Sequence, residues 1–120
     1  MVESMMKAQE HLWVREFPAE LSICDREGVL LEMNRAAEAL FAGEGGRTLI
    51  GSNILNCHPE PDCRKLKRLL ETGQTNVYLS ETKGCKTFVF QAPWYLEGRY
   101  AGLVEVSFEV PDDIPHFIRE

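Results

Sequence analysis

A tight hairpin that runs straight into a capped helix constrains this chain more than any other feature. Leu21 to Cys24 is a short apolar run, and Asp25 to Gly28 carry turn chemistry. An aspartate can accept from its own downstream backbone, and a glycine takes the positive φ that closes a short turn. Val29 to Met33 resume an extended segment. Asn34 then suits the N-cap of a helix through Ala36, Ala37, Ala39, Leu40 and Phe41, because its side-chain oxygen can accept an orphan amide one turn in. Strand, turn, strand and helix follow one another with no linker.

The later segments carry equally local punctuation. Gly43, Gly45 and Gly46 close the first helix and open a loose loop, with a short helical piece expected over 47–55. Asp62 to Thr72 predicts a stronger helix, with Pro59 and Pro61 ahead of it, Asp62 at the positive end of its dipole and Gly73 at C′. Cys63, Leu66, Leu69 and Leu70 recur at three- and four-residue steps, so one face packs on a core. Three strands follow. Val77 and Leu79 alternate with Tyr78 and Ser80; Phe88, Phe90, Ala92 and Trp94 alternate with Thr87, Val89 and Gln91; Gly102, Val104, Val106, Phe108 and Val110 alternate with Glu105, Ser107 and Glu109. That period of two suits a sheet with one face on a core and one wetter, and Pro93 argues for an edge or a bulge. The expected fold class is α+β: a five-stranded antiparallel sheet with short helices on one face and a flanking N-terminal helix.

These motifs, in this order, resemble the PAS sensory domains. Asp25, Gly28, Leu30, Asn34, Ala36, Ala37, Leu40 and Phe41 match the opening hairpin and helix of that family; Leu49-Ile50-Gly51 resembles a later step, and Ala92-Pro93-Trp94 with Glu97 to Val106 its last hairpin. The resemblance implies a sensory module, not an enzyme, that binds a small ligand or a partner protein and signals by conformational change. Residues 1–19 form the expected N-terminal helix, 20–110 the PAS-like domain and 111–120 a tail. PAS domains often pair through a helix at the first position, so Met5, Met6, Gln9, Leu12 and Trp13 are the candidate seam of a homodimer, with Met-rich and aromatic content that fits an interface. The signalling helix that commonly leaves the last strand is interrupted here by Pro111 and Pro115, which points to a separate effector protein.

In such a fold the short helices and the inner sheet face enclose a pocket, for which Asn53, Leu55, Cys57, His58, Tyr78, Phe88, Phe90, Gln91 and Trp94 are the candidate lining residues. The alternative is a core filled by these same side chains, leaving a structural dimerisation module. Asn56-Cys57-His58-Pro59 is the sharpest cluster. His58 offers a ring nitrogen to haem iron, as haem sensors of the family do; the plainer reading has Asn56 and His58 capping the next helix. Cys57 and Cys63 flank the helix start, where a thiol pKa falls, and so permit a redox pair. Gly51-Ser52-Asn53 is followed by Ile54 where the photoreceptor branch has a reactive cysteine, leaving only a non-covalent flavin open.

The charge of −6 disfavours nucleic acid and anionic membranes. The basic group Arg64, Lys65, Lys67 and Arg68 reads as a solvated helix face. No apolar run approaches the ~20 residues of a membrane span, no signal peptide is evident, and the four cysteines show no zinc spacing. A cytoplasmic location is expected, with the thiols free. Hydrolase, phosphate-loop and metalloprotease motifs are absent.

Overall fold

In the computed structural model, residues 12–57 and 59–120 are described, Cys57 by its backbone alone. Five strands form one antiparallel sheet in the order β2-β1-β5-β4-β3, from β1 (Glu20–Asp25), β2 (Leu30–Met33), β3 (Asn76–Thr82), β4 (Cys85–Leu96) and β5 (Arg99–Val110). Between β2 and β3 run α1 (Arg35–Leu40), three 3-10 turns (Ala42–Glu44, Gly46–Leu49, Ile54–Cys57) and α2 (Asp62–Thr72). Residues 12–16 are helical and stop before Phe17-Pro18, as expected from the bias that proline places on its predecessor. The α+β layout read from the sequence is the one observed.

The hairpin turn forms as its residues dictate. Asp25 accepts from the amides of Glu27 and Val29, both at 2.9 Å, and Gly28 takes φ +91°. Asn34 does more than cap. Its Oδ1 accepts from Ala37 N at 3.0 Å and from Leu21 N at 3.0 Å. Its Nδ2 donates to the carbonyls of Ala19 at 2.8 Å, Val14 at 3.1 Å and Phe17 at 3.3 Å. One buried amide thereby holds helix α1, strand β1 and the incoming chain together. Arg15 adds a second tie, pairing with Glu38 on α1 and donating to Met33 O.

Helix α2 covers the predicted span, and Gly73 at φ +65° returns its amide to Leu69 O at 2.8 Å. Its N-cap position is Pro61, which offers no side-chain cap; the cap expected from Asn56 with His58 involves a residue outside those described. The helix buries Leu66, Leu69 and Leu70. Leu66 and Leu70 pack with Cys24 and Leu103. Leu30, Met33 and Ala37 form a second cluster. Ile54 leans on both. Among the described residues no large side chain is completely buried. The core is two small clusters with space between sheet and helices.

The strand faces are the reverse of a simple hydrophobic reading. Val89, Gln91, Leu103 and Ser107 are the buried members of β4 and β5, along with Gly102. Phe90 and Phe108 on those strands are exposed, as are Val77 and Leu79 on β3. Strand pairing sets Leu79, Phe88 and Phe108 in one row and Val77, Phe90, Val106 and Leu21 in the next, on the face away from α2. Phe88 and Phe108 stack there with ring centroids 5.4 Å apart. Residues 111–120 leave the sheet without forming a helix.

Candidate functional site

The inner sheet face carries a polar row where a core is ordinarily apolar. Register aligns Asn76 of β3 with Gln91 of β4, Gln91 with Glu105 of β5, and Glu105 with Ser22 of β1. One row along, Ser107 faces Glu20. Cross-strand neighbours stand close enough for side chains to bond directly. Asn76 Nδ2 donates to Gln91 Oε1 at 2.9 Å, and Gln91 Nε2 donates to Glu105 Oε1 at 2.8 Å. Ser22 Oγ and Ser107 Oγ donate to the two oxygens of Glu20, at 2.9 and 2.7 Å. Glu105 stands near enough to Glu20 for its charge to act on the Glu20 carboxyl.

Glu20 is only 5% exposed. Burial, and then the charge of Glu105 beside it, push its carboxyl up to about 7 despite the opposing bonds from Ser107 and Ser22. Desolvation and a like charge both disfavour the ionised form. Glu20 therefore holds its proton to near neutral pH. The same surroundings raise neighbouring groups: Tyr78 through burial and then Glu105, Asp62 and Glu20; Cys24 chiefly through burial.

Two hollows meet at this row. The first, about 150 Å³, is walled by Leu30, Met33, Phe41, Leu49, Leu66 and Leu103, with Ser22, Gln91, Glu105 and Glu44 as polar contacts. The second, about 340 Å³, lies between α2 and β3, among Asp62, Lys65, Asn76 and Tyr78. Leu66, Gln91 and Glu105 border both. Lys65 Nζ sits 5.4 Å from the centre of the Tyr78 ring, which it approaches as a cation over a π face.

Comparison with solved structures identifies the fold that carries these hollows. The PAS domain of an HTR-like protein from Haloarcula marismortui is 19% identical, with 91% of this chain and 94% of that one covered at a TM-score of 0.63. The chain has the PAS fold. The PAS domain of BvgS from Bordetella pertussis matches at 15% identity, 90% and 88% coverage and a TM-score of 0.66. VqmA bound to DPO matches at 16% identity, 92% of this chain, 58% of that one and a TM-score of 0.62. At these identities the likeness is one of fold. A scan of protein-family models and a search of curated proteins gave no match.

Within the PAS fold, the sequence-predicted pocket residues divide sharply. Gln91 lies at the junction of both hollows and Tyr78 borders the second. Phe88 and Phe90 do not line the pocket: β4 turns them to the opposite sheet face. Trp94 lines neither hollow; its indole N–H donates to Cys24 O at 3.0 Å, where β4 pairs beside Gly102 and then bulges. Asn53 is a loop clamp, with Nδ2 donating to Glu27 O and Oδ1 accepting from Leu55 N, both at 2.9 Å. Leu55 packs against the Leu66 cluster. His58 and the Cys57 side chain, and with them the haem and redox-pair expectations, lie outside the described residues, as do Met5, Met6 and Gln9. Cys63 Sγ donates to Leu55 O at 3.2 Å. Leu12 and Trp13 are exposed.

The residues that sequence reasoning missed are Glu20, Ser22, Asn76, Glu105 and Ser107. Their signal is present as polar residues two apart in otherwise apolar strands: Glu20 with Ser22, and Glu105 with Ser107. Read alone, each pair looks like the wet side of its strand. No helix among the described residues is long and apolar enough to cross a membrane, and no group of three or more metal-ligating side chains occurs among them.

Proposed function

We propose that this chain is a PAS-fold sensory module that accepts a small ligand between the sheet and α2 and reports its presence by shifting the covering helices. The observation that carries this is the hydrogen-bonded row Asn76–Gln91–Glu105 bordering space inside the domain. Burying such groups beside a hollow is costly unless they have something to bind, and concave sites with apolar walls and a few convergent polar groups are the usual ligand sites. The VqmA structure, described as bound to DPO, is a precedent for a ligand in a protein with a similar fold. The first hollow suits a ligand of single-ring size, since an engineered apolar cavity of like volume holds benzene. Signalling then requires that the ligand bind one helix arrangement better than another.

Leu66→Trp tests this reading, because Leu66 borders both hollows and a larger side chain fills them. Native mass spectrometry and a thermal-shift screen of the purified full chain should show ligand uptake that the filled variant loses while keeping its fold. Equal uptake by both proteins would refute the site.

A homodimer is favoured by a separate observation. Val77, Leu79, Phe90 and Phe108 expose a contiguous apolar stretch of the outer sheet face, and Leu12 and Trp13 are uncovered as well. Exposed apolar patches of this kind mark interaction surfaces. Sedimentation should give a dimer that Leu79→Asp dissociates; an unchanged mass would place self-association elsewhere. A separate effector protein would then read the dimer.

A further inference from the structure

The first hollow has apolar walls and, at one end, only neutral or acidic polar groups. Leu30, Met33, Phe41, Leu49, Leu66 and Leu103 provide the walls, and Ser22, Gln91 and Glu105 the polar end. Glu44 adds a carboxylate from the first 3-10 turn. Among the described residues no lysine, arginine or histidine lines it. The side-chain donors that line it are already engaged: Gln91 gives its amide to Glu105, Ser22 its hydroxyl to Glu20 and Ser52 its hydroxyl to Leu49 O. An anionic ligand would meet like charge with no cation to receive it. A cationic ligand would meet the Glu105 carboxylate, which the Gln91 amide contacts and no cation in the lining neutralises.

We infer that this hollow selects a small organic cation, an ammonium or amidinium on a single-ring or short aliphatic body, seated with its charge against Glu105 and its body among the leucines. This deepens the ligand-site reading above and rests on it. Glu105 makes the contact, and Glu20 backs it from the neighbouring strand. Charge-assisted bonds of this type are stronger and shorter than neutral ones, and rejection of anions follows from like charge without relief. A cation beside Glu105 offsets the like charge that helps keep Glu20 protonated, so binding releases the Glu20 proton to solvent and ligand and proton compete. The groups facing the pair are Ser22 and Cys24 on β1, Ser107 on β5, Gln91 on β4, Tyr78 and Asn76 on β3, and Asp62 and Lys65 on α2. Lys65 belongs to the second hollow, where it lies over Tyr78.

The test is calorimetric titration of the full chain with three probes of one shape: benzylamine, benzyl alcohol and benzoate. At pH 8 benzylamine is expected to bind on the order of tenfold tighter than benzyl alcohol, with benzoate weakest. At pH 6 that preference narrows, and at pH 7 titrations in buffers of different ionisation enthalpy show proton release on amine binding. Glu105→Gln should bring the amine to within about twofold of the alcohol. Should that variant fail to fold, Glu20→Gln removes the other carboxylate and should likewise shrink the preference. Benzoate binding as tightly as benzylamine, or a preference that survives in the folded variants, overturns the inference. Alcohol binding with no amine preference overturns it while leaving the ligand site standing. If no probe binds, the inference and the ligand-site reading both fall.

Discussion

Replacing Glu20 with glutamine removes one of the two carboxyls that meet across β1 and β5 while keeping its shape. In the folded chain the Glu20 carboxyl is raised from 4.5 to about 7 by burial and by Glu105. A raised acid is stabilising to the fold only while protonated. Its contribution is therefore fully present below pH 4.5 and is lost as the pH climbs through about 7. The folded and unfolded values differ by more than two pH units, each worth about 1.4 kcal/mol, so ionising Glu20 costs roughly 3 kcal/mol of folding stability by pH 8. Glutamine avoids that cost at every pH. Its amide oxygen can still accept from one serine, but the second serine faces an NH2 group and must turn to accept, a loss of about 1 kcal/mol. Glu20→Gln is thus expected to be about 2 kcal/mol more stable than the parent at pH 8 and about 1 kcal/mol less stable near pH 4.5, crossing over between. Urea unfolding at several pH values measures this through the midpoint, with an unchanged slope confirming that the exposed surface is the same. Glu105→Gln should relieve only the like-charge part of the Glu20 penalty, and the double variant should gain less than the sum, because one repulsion is removed twice. A stability difference independent of pH would refute the reasoning, since it would mean the Glu20 carboxyl is not raised in the folded chain.

Three further perturbations address the scaffold and the thiols. Asn34→Ala strips five hydrogen-bonded contacts from a residue 2% exposed and should cost about 3 kcal/mol or more in urea unfolding; Asn34→Asp keeps the acceptor, turns a carboxylate on three carbonyls, and should regain stability as the pH falls. Gly102→Ala should unfold the chain or cost at least about 3 kcal/mol, because its Cβ would stand 2.0 Å from Cys24 O and 2.8 Å from Asp25; a circular-dichroism melt within a few degrees of the parent would contradict the close strand approach. Iodoacetamide labelling followed by mass spectrometry should modify exposed Cys85 first and leave Cys24, whose thiol is buried and raised, protected until the chain unfolds; early labelling of Cys24 would show that the sheet opens locally.

Features legible in the amino-acid order are those whose causes lie within a turn or two of the chain. Asp25 and Gly28 close the hairpin, Asn34 caps α1, and Asp62 and Gly73 mark the ends of α2, because each acts on a backbone group a few residues away. Alternation likewise announces three long strands and sorts their residues correctly into two sets. It does not say which set faces inward. On hydrophobicity alone, Phe88, Phe90 and Phe108 belong in the core, yet α2 and the 3-10 turns lie over Gln91 and Leu103, on the sheet face that also buries Val89 and Ser107. That choice depends on where the β2-to-β3 connection crosses the sheet. The Glu20–Ser107 bond joins residues 87 apart, and only the strand order β2-β1-β5 makes them neighbours. Local chemistry in the chain set the elements and their ends; long-range packing chose the sheet face, and with it made a site out of residues that read as surface.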